Sequence, residues 1–293
     1  MSTLKLQDTD PIIGKQSRLE NYWKDRGFDD FYSQFRGGIK LPRTHHDTNS
    51  LDEIVKYYKL KAIGFGNWVT QEDRFNYVQA LKIAFFDLNR ILAFPGNNIG
   101  LNALSISFGA RGKGKALAHY EPWSSIVNIT RYHNEGGDKK TLWAETGGAG
   151  SLAHEYGHFL DYTFAVLLRN GKTSSLTCGR STRMMVTDSE NPGTLHSVMN
   201  ELINSLNVQK GKVTPFRERL NRVTGAGDYF VRRNEIFARV FEQYIFLKLQ
   251  RAGVKNHFLH DTKYQSRVYL TGSELERVVP LLDKLVKSMR NTL

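Results

Sequence analysis

The chain has 293 residues, of which 40% are hydrophobic, 12% aromatic and 24% charged. This is the composition of a globular protein, and it argues against disorder, a collagen-like repeat and a long coiled coil. Lys and Arg together number 41 against 29 Asp and Glu, which gives a formal net charge of +12. A surface this basic attracts nucleic acid, but the sequence has no long Lys or Arg run, so any association with nucleic acid is expected to be nonspecific.

The cysteine content and the hydrophobic pattern bear on where the protein works. Cys178 is the single cysteine, so it cannot form an intramolecular disulfide. Met1 is followed by a polar stretch and not by the apolar region of a signal peptide. The most hydrophobic run, around residues 80–94, contains charged side chains and falls short of the about 18 apolar residues that a membrane span needs. We expect a protein of a reducing compartment, not secreted by a signal peptide, and without a membrane span.

The first part of the chain predicts an N-terminal segment followed by helices. Residues 1–40 mix charged and aromatic side chains and end in a Gly-Gly pair and a nearby proline. We therefore expect an arm or small helical segment over 1–40 and the main domain over 41–293. The spacing of apolar residues predicts a short helix from Asp52 and an amphipathic helix over 71–92.

The middle of the chain has β patterns. Apolar residues recur near period two over 99–108, a glycine-rich basic loop follows over 109–115, and residues 116–120 resume an apolar pattern. This arrangement predicts a β-hairpin, and residues 125–130 predict a further strand. The basic loop lacks the residue order of a phosphate-binding P-loop, so a hairpin tip is the favoured interpretation.

The rest of the chain is mainly helical in pattern. A polar stretch over 169–192 predicts a long loop. Predicted helices cover 149–168, 194–206, 234–250 and 271–290. The last of them begins with a capping box from Thr271 to Glu274. The expected fold class is α+β, mostly helical with a small mixed sheet.

The helix predicted over 149–168 contains the sequence His154-Glu155-Tyr156-Gly157-His158, which has the form His-Glu-x-x-His. Four residues turn an α-helix by about 400°, so the two histidines project from one face and can share a metal ion. Glu155 lies about 100° away, where it can hold a water molecule beside that ion. Two imidazoles and a carboxylate with one open position are typical of catalytic zinc, so the expected cofactor is Zn²⁺.

A third ligand must come from another element. Glu235 and Glu242 share one face of a later predicted helix with Arg239, and either glutamate could be the ligand. Asp161 lies about 20° around the helix from His154, so its carboxylate is better placed to accept the ring N–H of a ligand histidine than to bind the metal itself. Weaker candidates are the isolated histidines His119, His196, His257 and His260.

These residues resemble a known family. His154-Glu155-Tyr156-Gly157-His158 followed by Glu235-x-Phe237-Ala238-x-x-Phe241 looks like a gluzincin-type zinc metallopeptidase and is similar to the catalytic domain of anthrax lethal factor. A closer resemblance is to large polyvalent protein-associated domain 1, which occurs in bacteriophages and conjugative elements. The segments that carry this resemblance, over roughly residues 45–290, are 65–69, 108–112, 116–122, 129–131, 148–155, 235–241 and 258–259.

The resemblance implies a zincin-like fold and a catalytic role for the motif. In such a site His154, His158 and Glu235 bind Zn²⁺, and Glu155 acts as general base and then as general acid in peptide hydrolysis. Tyr229 would stabilise the oxyanion. The family usually has Tyr-Trp at this point, whereas here Phe230 follows the tyrosine.

The implied protein is a zinc metalloendopeptidase that acts on a protein or peptide substrate. It would be encoded by a bacteriophage or mobile element and would work in the host cytoplasm or be packaged in a phage particle with virion proteins as partners. Two alternatives stay open: a structural or cargo protein of a phage particle with a dormant site, and a basic protein associated with nucleic acid. Zinc content distinguishes the peptidase from both alternatives.

Overall fold

The computed structural model describes residues 36–38, 50–111, 116–130, 148–168, 174–185, 193–260 and 267–293. Most of the expected arm over 1–40, and residues 112–115 of the basic loop, lie outside the described residues. Two compact units make up the chain. Unit 1 comprises Met1–Glu155 and Lys248–Asp261, and unit 2 comprises Tyr156–Leu247 and Thr262–Leu293.

Helices and short strands both occur in the described residues, which confirms the α+β class. The described helices are α1 (Leu51–Tyr57), α2 (Gln71–Leu92), α3 (Leu152–Leu167), α4 (Leu195–Asn207), α5 (Pro215–Asn221), α6 (Arg233–Arg251) and α7 (Gly272–Thr292). The described strands are β1 (Arg36–Gly37), β2 (Ala62–Phe65), β3 (Ser105–Phe108), β4 (Ala118–Glu121), β5 (Ile126–Ile129), β6 (Val208–Gln209), β7 (Lys212–Val213) and β8 (Lys255–Asn256). Within the described residues, no helix combines the length and apolar character that crossing a membrane requires.

Unit 1 contains a small mixed sheet with the strand order β2-β3-β5-β4. β3 pairs in parallel with both β2 and β5, and β4 pairs antiparallel with β5. All four residues of β3 and of β5 are buried, as expected for inner strands, whereas three of the four residues of β4 are half-buried. β4 is therefore an edge strand of this sheet.

The hairpin predicted between residues 99–108 and 116–120 is wrong. β5 lies between β3 and β4, so these two strands do not pair. β4 and β5 form the hairpin instead, with Ala118 opposite Ile129, because the few residues between them suffice to reverse the chain. Sequence adjacency identified a hairpin in this region but assigned the wrong pair of strands.

The helix predictions agree with the structure to within a few residues, because capping signals mark several ends. Thr70 accepts a hydrogen bond from the Asp73 N–H at the start of α2. At the start of α7, the Thr271 hydroxyl accepts from the Glu274 N–H and the Glu274 carboxylate accepts from the Thr271 N–H, which confirms the predicted capping box. Inside unit 2, α7 packs its apolar face on α4.

A buried ion pair joins β1 to α2 in unit 1. The Arg36 guanidinium donates two hydrogen bonds to the Asp87 carboxylate, at 2.8 and 2.9 Å. Asn256 of β8 donates a third to the same carboxylate, at 2.9 Å, and its own side-chain oxygen accepts the Leu259 N–H. Since β1 also pairs with β8, residues 36–37 are hydrogen-bonded to unit 1 through both backbone and side chain.

Candidate metal centre

The start of α3 is held by close backbone contacts within unit 1. The Ala153 N–H, in the first turn, donates to the Leu259 carbonyl at 3.1 Å, which satisfies a group that has no partner inside the helix. Just upstream, a Cβ at Gly148 would lie 2.0 Å from the Leu117 carbonyl oxygen. Only glycine fits at position 148.

The two histidines of the motif lie together with one glutamate of α6. Among the described residues, His154, His158 and Glu235 form the one group whose candidate ligand atoms all lie within 4.8 Å of one another. Nε2 of His158 is 3.4 Å from Oε1 of Glu235. His158 and Glu235 are buried, and His154 is half-buried.

The distance between the donor atoms of His158 and Glu235 fits a zinc-sized ion. With Zn–N and Zn–O bonds of about 2.0–2.2 Å, tetrahedral geometry places ligand atoms roughly 3.3 to 3.5 Å apart. The 3.4 Å between His158 and Glu235 matches that separation and exceeds the usual N–H···O hydrogen-bond length. Two imidazoles and one carboxylate also suit a borderline-soft divalent ion, and the partial exposure of His154 is compatible with an open coordination position.

Glu242, the alternative candidate for the third ligand, is not part of the His154, His158 and Glu235 group. It is buried, and its Oε2 accepts the hydroxyl of Tyr269 at 2.9 Å. Two helical turns separate it from Glu235, a rise of about 10 Å along α6. The structure therefore brings Glu235, and not Glu242, to the histidines. The isolated histidines at 119, 196, 257 and 260 do not belong to this cluster either.

Gly157 brings α3 close to α6. A Cβ at this position would lie 3.2 Å from Cα of Ala238 and 3.3 Å from the ring of Phe241. The residue immediately before His158 thus lacks a side chain at the contact between the helices that carry His158 and Glu235. A larger residue would push these helices apart.

Asp161 anchors a loop segment to α3. Its side chain is completely buried, and its two oxygens accept the backbone N–H of Thr177 at 2.8 Å and the Thr177 hydroxyl at 2.6 Å. Burial raises the pKa of Asp161 to about 6, and the hydrogen bonds from Thr177 act in the opposite direction. The predicted hydrogen bond from a ligand imidazole to Asp161 stays a prediction.

The same loop segment caps α6. The N–H groups of Arg233 and Asn234, immediately before Glu235, donate to the carbonyls of Ser181 and Gly179, at 2.9 and 3.1 Å. One short segment therefore holds both the helix of the histidines and the helix of the glutamate. The sequence predicted only a long polar loop here, and no local pattern pointed to these contacts.

Tyr229 begins a 3₁₀ turn over Tyr229–Val231 and is 38% exposed. The ring of Phe230 meets its ring edge to face at 5.2 Å, and the Arg232 guanidinium lies 5.9 Å from its centre. Glu155 is 7% exposed and follows His154 on α3. The oxyanion role of Tyr229 and the proton-transfer role of Glu155 stay predictions.

Comparison with known proteins gives one match. The chain matches no curated protein and no solved structure. Residues 224–293, which contain Glu235 and all of α6 and α7, match the family model of large polyvalent protein-associated domain 1. This is a shorter stretch than the resemblance drawn from the motifs. The C-terminal part of the chain is thus similar to that domain.

Proposed function

We propose that this protein is a gluzincin-type zinc peptidase with a zincin-like fold, which hydrolyses peptide bonds of a protein substrate. The observation that carries the proposal is the grouping of His154, His158 and Glu235 within 4.8 Å, with Glu155 next to the first histidine. The match of residues 224–293 suggests a phage-associated protein. We extend this to a protein encoded by a bacteriophage or mobile element, acting in the host cytoplasm or carried in the particle.

The site residues would divide the reaction between them. A bound Zn²⁺ would supply Lewis-acid chemistry, polarising the scissile carbonyl and lowering the pKa of a water molecule. Glu155 would accept the proton of the attacking water and pass it to the leaving amine. The Tyr229 hydroxyl would donate a hydrogen bond to the oxyanion of the tetrahedral intermediate. Burial of His158 and Glu235 keeps competing water away from these two ligands.

The first test is metal content. Protein purified without chelator should hold about one Zn²⁺ per chain, since two imidazoles and a carboxylate form a catalytic zinc site. Glu235→Gln and His158→Ala should lose this metal, measured by elemental analysis of the folded protein. Glu242→Gln is the matched control, because it removes a buried carboxylate from the same face of α6 but outside the cluster, and it should keep the metal.

Two outcomes would contradict the proposal. Wild-type protein without stoichiometric metal would exclude a zinc peptidase and favour the structural or cargo alternative. Loss of metal from Glu242→Gln with retention in Glu235→Gln would show that the ligand had been assigned to the wrong turn of α6.

The contact at Gly157 gives a second measurement on the same site. Gly157→Leu should weaken Zn²⁺ affinity about tenfold or more, because overpacking between α3 and α6 separates His158 from Glu235. Competition with a chelating dye measures the affinity. Gly157→Ala is the comparison variant: its methyl group lies 3.2 Å from Cα of Ala238 and requires a shift of only tenths of an ångström, so its affinity should fall less than that of the Leu variant. Equal affinities of the Leu variant and wild type would refute the proposed importance of this close approach.

A further inference from the structure

Arg239 lies one turn after Glu235 on α6 and is almost fully buried, at 3% exposure. Its Nη1 is 3.9 Å from Oε2 of Glu235. Its Nη2 donates a hydrogen bond to the Phe230 carbonyl at 2.6 Å, and its guanidinium carbon lies 5.4 Å from the centre of the Phe230 ring. The guanidinium thus contacts the glutamate on one side and the 3₁₀ turn that precedes α6 on the other.

These contacts fix the guanidinium from outside the metal cluster. The Phe230 carbonyl and ring belong to the turn before the helix, so they hold Arg239 whether or not a metal is bound. Glu235 then has its two oxygens facing different groups: Oε1 faces Nε2 of His158 at 3.4 Å, and Oε2 faces Arg239. The 3.9 Å between Nη1 and Oε2 is an ion-pair distance and is longer than a hydrogen bond, so the guanidinium attracts Oε2 by its charge while Oε1 faces His158.

The charges in this part of unit 2 agree with that arrangement. Arg239 lies between two buried carboxylates on the same helical face, Glu235 and Glu242, and the latter also accepts the Tyr269 hydroxyl. The guanidinium therefore has a buried carboxylate on each side of it along α6.

We propose that Arg239 is a positioning residue for Glu235: its charge, 3.9 Å from Oε2, attracts that oxygen, so that Glu235 binds the metal through Oε1 alone and a coordination position stays open for water. This inference rests on the proposed function, because it requires a metal at the cluster. Through its hydrogen bond to the Phe230 carbonyl, Arg239 also links Glu235 to the 3₁₀ turn that carries Tyr229. Groups that orient a ligand typically contribute about 10- to 100-fold to metal affinity.

The test measures metal binding in variants without relying on activity. Arg239→Met keeps roughly the volume of the side chain and removes the guanidinium group. Arg239→Lys keeps the positive charge, but its single ammonium group cannot contact both Glu235 and the Phe230 carbonyl. We expect Zn²⁺ affinity about 10- to 100-fold lower in the Met variant. Co²⁺ replaces Zn²⁺ as a spectroscopic probe, and its visible absorption band weakens when coordination rises above four. We expect this weakening in both variants, because Glu235 is then released to bind through two oxygens.

The matched control is Arg219→Met, which removes an arginine that pairs with Glu274 in the same unit, outside the cluster. It should leave the affinity and the Co²⁺ spectrum unchanged. Circular dichroism verifies that each variant is folded, and Arg239→Lys serves if the Met variant does not fold. Wild-type affinity and an unchanged Co²⁺ spectrum in a folded Arg239 variant would overturn the positioning role and leave the zinc proposal intact. Absence of metal from wild-type protein would overturn both.

Discussion

Glu155→Gln should lower the rate of peptide cleavage by orders of magnitude and leave both the fold and the bound zinc in place. Glutamine has nearly the same shape as glutamate but cannot take a proton from water, and Glu155 is outside the group of three ligands. General acid–base catalysis contributes about 10²- to 10⁴-fold, so the rate should fall by that factor. No other single change that keeps the metal is expected to reduce activity as much.

Because the substrate is unidentified, the assay should offer a broad pool of proteins, such as host cell lysate or denatured protein. Mass spectrometry then records new N-termini that appear with wild-type protein and not with Glu155→Gln. Glu201→Gln is the control, since Glu201 is a half-exposed carboxylate on α4 that pairs with Lys284, and it should cleave like wild type. Identical peptide profiles from wild type and Glu155→Gln, both loaded with zinc, would refute the peptidase proposal.

Arg36→Ala should destabilise unit 1 by about 3–5 kcal/mol, the range for removing one partner of a buried ion pair. The side chains of Arg36 and Asp87 are 0% and 1% exposed. Without the guanidinium, the Asp87 carboxylate keeps a hydrogen bond from Asn256 but loses its countercharge in the interior. Asn256 also holds the segment whose Leu259 carbonyl caps α3, so the first turn of α3 should loosen as well.

Urea titration followed by tryptophan fluorescence measures this loss selectively, because the described tryptophans, Trp68 and Trp123, lie in unit 1 and the sequence of unit 2 contains no tryptophan. Lys255→Ala is the control, as it removes an exposed cation from β8 in the same unit, and it should cost less than about 1 kcal/mol. Equal unfolding midpoints for Arg36→Ala and wild type would contradict the prediction. For the same reason, a truncation that tests the N-terminal arm should end before Arg36, since deleting 1–40 would also remove this ion pair.

The sequence alone predicted the structural features that depend on residues close together along the chain. Apolar spacing located α2, α3, α4, α6 and α7, and capping residues marked the start of α7, because helical contacts and caps connect residues three or four positions apart. The pairing of His154 with His158 has the same origin, since four residues on a helix place both side chains on one face. Charge and composition likewise required no structure.

Tertiary structure decided what depends on distant contacts. Glu235 and Glu242 are equivalent in helical phase, and only the packing of α6 against Gly157 of α3 brings the first of them to His158. Strand order was decided in the same way, because β5 pairs with β3 as well as with its sequence neighbour β4. The capping of α6 by the segment anchored at Asp161 joins residues about 55 positions apart. Side-chain periodicity carries no information on such contacts, since they depend on how completed elements pack together.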